Sequence, residues 1–255
     1  MNLLKAENIC KSFGGLKAIN EVSFEVKKAE ILALIGPNGA GKTTLLNLIT
    51  NFTKPDKGHV VFCQKSIDGL PRHHIVKLGI ARTFQTLTVF ENLTAAENLI
   101  IGHSSRVKTG LKDILNLFSY NKRKRETDES ALNTLNDVLR FVNLNSKHVN
   151  RPVNELSVMD KKRVAIACAL ASEPKLLLLD EPLAGLNQTE AQEVLELMRK
   201  TKTAGTSILM IDHNLEAVMS VSDRVIVLNF GELVCEGTPS EIISNKKVSE
   251  VYLGE

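Results

Sequence analysis

The sequence predicts an α/β protein with a parallel central sheet. Three observations predict it. Short apolar runs such as Ile31-Leu32-Ala33-Leu34-Ile35 and Leu176-Leu177-Leu178-Leu179 read as strands buried on both faces, they alternate with helical segments, and a glycine-rich turn joins one strand directly to a helix. A chain of 255 residues can form one large domain or two small ones around a full core.

In chain order, Leu3 to Ile9, Ala18 to Val26 and Glu30 to Ile35 are strand-like, alternating or continuously apolar between polar breaks. After Gly36 to Thr44, the residues Leu45, Leu46, Leu48 and Ile49 repeat at helical spacing. His59 to Phe62 is a strand, Arg72 to Leu78 a short helix after Pro71, and Gly79 to Phe84 extended. From Gln85 the character changes, with helical stretches at Glu91 to Ile101 and Asp128 to Val142, a polar gap near Gly102 to Gly110 and a basic run Lys122 to Arg125. This reads as an inserted helical subdomain, residues 86–160, within a core of residues 1–85 and 161–255. The alternation then returns: helix Ser157 to Ser172, strand Lys175 to Leu179, helix Gln188 to Lys202, and strands Ser207 to Ile211, Arg224 to Leu228 and Glu232 to Glu236.

Composition excludes several classes. Lys plus Arg at 32 against Asp plus Glu at 29 leaves +3, too balanced for a nucleic-acid-binding stripe, so no nucleic acid is expected as partner. Hydrophobic residues at 43% and charged residues at 24% exclude a disordered chain. The longest apolar run, Val164 to Ala171, is far short of the roughly 20 residues of a membrane-spanning helix, and the N-terminus lacks a signal-peptide core, so a cytoplasmic location is expected. Cys10, Cys63, Cys168 and Cys235 lack paired spacing and are expected to be reduced packing residues.

Gly36, Gly41, Lys42 and Thr43 fit the G-x-x-x-x-G-K-[ST] phosphate loop, whose backbone N–H groups wrap phosphates at a helix N-terminus. A chain of this length matches it by chance about one time in a hundred. Lys42 supplies the cation and Thr43 a Mg²⁺ ligand. Downstream, Leu176 to Leu179 ends in Asp180-Glu181, which places carboxylates at the ligand edge of a parallel sheet: Asp180 to hold Mg²⁺, Glu181 as general base. His213 follows the strand Ile208 to Ile211 and emerges at the same edge, as a γ-phosphate sensor; the other five histidines default to a solvated surface.

With these residues in place the chain resembles, over essentially its whole length, the ATP-binding subunits of ABC transporters. The resemblance implies a P-loop NTPase (RecA-like) parallel-sheet core with an N-terminal antiparallel β subdomain and an inserted α-helical subdomain. It implies a Walker A of Gly36, Pro37, Asn38, Gly39, Ala40, Gly41, Lys42, Thr43 and Thr44, and a Q-loop Gln85 that also reaches Mg²⁺. It further implies a D-loop of Ala184 to Asn187, a switch His213, and Phe13 stacked on adenine; a core residue is the alternative reading of Phe13 alone. The segments Phe13 to Leu16, Ala81 to Gln85, Ala184 to Asn187 and Val251 to Glu255 resemble the branched-chain amino acid importer type; the lipopolysaccharide-export type is the alternative at the C-terminus. The implied ligands are ATP and Mg²⁺. The implied partners are a second ABC ATPase, two transmembrane permease subunits and, indirectly, a solute-binding protein, with the chain peripheral on the inner face of the cell membrane.

One segment departs from the pattern. Where the family has Leu-Ser-Gly-Gly-Gln, the segment that grips the nucleotide of the opposite subunit, this chain reads Leu156-Ser157-Val158-Met159-Asp160. Met159 is expected to obstruct phosphate approach, and Asp160 to offset the helix dipole by about 0.3 to 1 kcal/mol. Ser157 and Asp160 have capping-box-like spacing, so the helix should form while the phosphate site weakens. A heterodimer with one competent and one impaired site follows as the expectation, and a mainly regulatory subunit with weak hydrolysis as the alternative. Ala29 stands where the family has Gly, and strains its turn by about 1 kcal/mol if φ there is positive.

Overall fold

A computed structural model of the chain describes residues 2–83, 89–104 and 135–253. They form two compact units, one of residues 1–75 with 175–255 and one of residues 76–174.

In the first unit β1 (Asn2–Phe13) and β2 (Leu16–Lys27) form an antiparallel hairpin across Gly14-Gly15, continued by β4 (Lys57–Phe62) and β5 (Lys65–Ser66) in the order β2-β1-β4-β5. Val22, Phe24 and Val26 of β2 are buried while Glu21, Ser23 and Lys27 are exposed and Glu25 partly so, the two-residue period of a half-buried strand. The second sheet of this unit contains β3 (Ile31–Ile35), β7 (Leu176–Asp180), β8 (Ser207–Ile211), β9 (Arg224–Asn229) and β10 (Glu232–Gly237), ordered β10-β9-β3-β8-β7. β9, β3, β8 and β7 run parallel, and every residue of β3, β7 and β8 is buried. This is why those strands carry continuous apolar runs rather than alternation. Asp180 of β7 lies level with Ile211 of β8, and Ile35 of β3 with Val227 of β9. The segments after β3, β7 and β8 therefore leave along one carboxyl edge, where α/β sheets place their ligands.

The helices of this unit are α1 (Lys42–Ile49), α6 (Gln188–Thr203), α7 (Leu215–Val221), α8 (Pro239–Ile243) and α9 (Lys246–Leu253). Reciprocal capping boxes start α6 (Asn187 with Glu190) and α8 (Thr238 with Glu241). The last three helices escaped the periodicity reading because each spans only one or two turns. Ala29 has φ 52°, the strained conformation anticipated for a residue replacing Gly, and its N–H donates to Ser207 Oγ at 2.9 Å.

The second unit holds β6 (Ile80–Thr83), α3 (Ala95–Ser104), helical residues 135–141, α4 (Ser146–Val149), a 3-10 turn at Val153–Glu155 and α5 (Val158–Leu170); α2 (Arg72–Leu78) precedes β6. It extends beyond the expected 86–160 insert because β6 packs against α5. Buried Asn98 accepts from the Phe90 N–H and donates to the Phe90 and Thr94 carbonyls, fastening residues 90–94 to α3. α3 meets α5 at Gly102, where a Cβ would lie 2.5 Å from the Cys168 carbonyl oxygen. Burial pushes the Cys168 thiol up to about 12, so it is an inert packing group, as its spacing implied.

Candidate active site

The phosphate loop leaves β3 at Gly36. A Cβ at Gly36 would sit 2.0 Å from the Leu228 carbonyl oxygen, and one at Gly41, φ 100°, 2.6 Å from that of Ala18. Only glycine fits either position. The loop is pinned by Ala40 N–H to Pro37 O at 3.2 Å and by Gly231 N–H to Ala40 O at 3.0 Å. α1 begins at Gly41 with no side-chain cap, leaving its first-turn N–H groups to an anion. Lys42 is buried and its Nζ donates to the carbonyls of Gly36 at 2.7 Å and Pro37 at 2.8 Å. Asn38, Gly39 and Thr43 are exposed, Thr44 is half-buried, and Pro37 is buried.

At the neighbouring strand ends, Asp180 is buried as the last residue of β7. Glu181 follows at φ 51°, a left-handed turn stabilised by its N–H donating to Ile211 O at 2.8 Å. That turn brings Glu181 Oε1 to 3.0 Å from His213 Nε2, joining two residues 32 apart in the chain. Asp212, absent from the sequence-derived set, holds both segments: Oδ2 accepts from the Leu183 N–H at 2.9 Å and Oδ1 from the Asn214 N–H at 3.0 Å. An Asp beside a His at the end of an apolar strand was the signal available for it. Glu181, His213, Asp212, Ala184 and Asn187 are among the residues lining a cavity of about 470 Å³. Gly185 of the expected D-loop has φ 75°, and Asn187 caps α6.

Phe13 is 50% exposed at the end of β1, so the core alternative for it is excluded. Lys11 Nζ lies 5.5 Å from the centre of its ring. Asp56 steadies this strand end, accepting from Lys11 Nζ and the Ser12 N–H, both at 2.7 Å. The Lys11 hydrogen bond, then the Ser12 N–H, holds its carboxyl below the usual range. Gln85 and the basic run Lys122 to Arg125 lie outside the described residues.

In the second unit, Ser157 caps α5 and the helix forms as expected. The reasons given for a weakened phosphate site are corrected in two respects. Met159 is 6% exposed, so it does not obstruct approach; the bulk presented at this helix start is Val158, 51% exposed. Asp160 is not a bare charge on the dipole. It is 7% exposed and paired with Arg163, whose Nη1 lies 3.0 Å from Oδ1. His148 is half-buried with its Nδ1 enclosed and making no hydrogen bond, and His103 Nδ1 lies 3.1 Å from the Ala171 carbonyl oxygen, so neither is the solvated surface histidine expected.

The ABC transporter family profile matches residues 19–184, from β2 through Asp180 and Glu181. The chain belongs to the ABC transporter family. It is 38% identical over 255 residues to the high-affinity branched-chain amino acid transport ATP-binding protein LivG of Salmonella typhimurium, covering 99% of this chain and 98% of LivG. Among solved structures it is similar to an ATP-binding cassette of an ABC transporter in its ADP conformation, at 35% identity and TM-score 0.85 over the whole of both chains. It is also similar to a dimeric cassette in a post-hydrolysis state bound to ADP and Pi, at 26% identity and TM-score 0.76 over 92% of this chain and 98% of that one. As an ABC ATP-binding cassette the chain binds nucleotide and serves ATP-driven transport as an ATPase. ABC cassettes dimerise and work with membrane permease subunits. Among the described residues no helix is long and apolar enough to cross a membrane.

Proposed function

We propose that this chain is the ATP-hydrolysing subunit of an importer for branched-chain amino acids, peripheral on the inner face of the cell membrane. It pairs with a second ABC ATPase, drives two transmembrane permease subunits, and receives solute indirectly from a solute-binding protein. The solute class rests on the likeness to LivG.

The observation that carries the hydrolytic reading is the Glu181–His213 contact, at the ends of parallel strands β7 and β8. In this reading Phe13 carries the adenine, the loop from Gly36 to Thr44 wraps the phosphates, and Lys42 exchanges its two carbonyl partners for phosphate oxygens. Glu181 polarises the attacking water and receives its proton as the oxygen bonds to the γ-phosphorus and the bond to ADP breaks; His213 holds Glu181 and the γ-phosphate in place. Mg²⁺ binds through few protein oxygens, waters and substrate phosphates; Thr43, exposed in the phosphate loop, and Asp180, at the carboxyl end of β7, would supply such oxygens, with Gln85. Mg²⁺ would neutralise charge on the transferring phosphoryl group. Gln85 passes the state of this site to the permeases.

Glu181→Gln in the intact transporter should lower ATP turnover by about 10²- to 10⁴-fold while ATP binding persists. Unchanged turnover removes Glu181 as the base.

A further inference from the structure

The contact that carries the hydrolytic reading joins two side chains that water reaches, Glu181 at 19% and His213 at 50% exposure. Such a pair does not hold its own geometry, because each partner keeps water as an alternative. Glu181 also sits at φ 51°, a costly conformation for a residue with a side chain, which persists only where its surroundings fix it. Just before the side chain, the Glu181 N–H donates to Ile211 O at 2.8 Å. Just after it, the Leu183 N–H donates to Asp212 Oδ2 at 2.9 Å, and the Ala184 N–H closes the turn on Glu181 O at 3.3 Å. Two consecutive residues, Ile211 and Asp212, thus clamp the backbone on either side of Glu181, and the residue that follows them is His213. The other oxygen of Asp212, Oδ1, accepts from the Asn214 N–H at 3.0 Å and so fixes the chain beyond His213. Asn214 in turn starts α7, its side chain accepting from the Ala217 N–H at 3.1 Å. Asp212 is 6% exposed, and hydrogen bonds to a carboxylate sheltered from water are stronger than those between neutral groups.

We propose that Asp212 is a positioning residue for hydrolysis, which sets the turn carrying Glu181 and the turn carrying His213 at one separation and so aims the base at the attacking water. It acts through the backbone of those two turns rather than on the substrate. A carboxylate suits the task because both of its oxygens accept, and each meets one main-chain N–H. An amide in its place would turn its own NH₂ toward one of those donors, and that turn would come loose. The phosphate loop makes none of these contacts, so loss of Asp212 should spare nucleotide binding and strike the chemical step. The proposal rests on the reading of Glu181 as the base.

The test uses the whole transporter, purified through a tag on this chain, with Mg-ATP as the probe, and reads kcat, KM and ATP binding. Asp212→Asn should lower kcat by about 10- to 100-fold, the size of a slight misplacement of a catalytic group, with KM and ATP binding within about twofold of wild type. Asp212→Glu keeps two acceptor oxygens, and the cavity that Asp212 lines has room for one more methylene, so it should recover at least about half of the lost turnover on a logarithmic scale. In a Glu181→Gln background, where there is no base left to aim, adding Asp212→Asn should cost less than about threefold more. Wild-type turnover in Asp212→Asn overturns the proposal, as does a loss that falls equally on ATP binding, an Asp212→Glu no better than Asp212→Asn, or a loss as large in the Glu181→Gln background as in the wild type. Turnover indifferent to Glu181→Gln removes the base reading and this proposal with it, whereas sensitivity to Glu181→Gln beside a normal Asp212→Asn overturns this proposal alone.

Discussion

Two regions of this chain, both proposed to meet phosphate, are built by opposite means. The loop from Gly36 to Thr44 is built from backbone: glycines at Gly36 and Gly41 where a Cβ would strike a carbonyl, an uncapped helix start, and a buried lysine held by two main-chain oxygens. The segment from Ser157 to Asp160 lacks the family's glycines and is built from side chains: a capping serine, an exposed valine, a buried methionine, and an aspartate tied to Arg163. A backbone site tolerates almost no substitution. A side-chain site forms an equally regular helix, yet commits its donor to internal partners.

Substitutions can break this contrast, and the largest effect belongs to the backbone site. Gly36→Ala should cost about 2 to 6 kcal/mol, the sum of overpacking against Leu228 and a strained φ, and remove nucleotide binding. Thermal melting and ATP titration check it, and a stable, binding Gly36→Ala would deny the loop its dependence on close approach. Within the signature segment, Met159→Ala should cost about 2 to 5 kcal/mol as a buried deletion, and Val158→Ala less than about 0.5. Equal melting temperatures for the two would contradict the inward placement of Met159. Ala29→Gly should stabilise by roughly 0.5 to 1 kcal/mol by relieving φ 52°, offset in part by glycine entropy, read as a raised denaturation midpoint.

The smallest effect concerns the strand end carrying Phe13. Because Lys11 and the Ser12 N–H depress the Asp56 carboxyl, its stabilising contribution is complete above the ordinary carboxylate range and is lost as pH falls through its lowered folded value. Asp56→Asn should therefore lower the melting temperature slightly near pH 7 and lose that difference in acid. A gap that widens with acidity would contradict the assignment.

The parallel sheet and phosphate loop were legible because burial on both faces forces continuous apolar strands and close approach forces glycine; both leave composition marks at fixed spacing. The start of α5 was legible as a cap, from Ser157 and Asp160. Where those side chains point was not. Whether Met159 is exposed or buried, and whether Asp160 is bare or paired with Arg163, depends on packing that spacing does not encode. Asp212 was missed for a related reason: its work is to hold two main-chain N–H groups, one of them 29 residues away.

One pair of substitutions tests the contrast most directly: ATP turnover by the intact transporter carrying Lys42→Ala or Ser157→Ala in this chain, measured near pH 8. The backbone site should fail by about 10²-fold or more without its lysine, as sites do when a preorganised charge on the transferring group is removed. Ser157→Ala should cost less than about tenfold, because that hydroxyl already donates to Asp160. A loss for Ser157→Ala as large as for Lys42→Ala would show that the signature serine is fully engaged with nucleotide and would contradict the account.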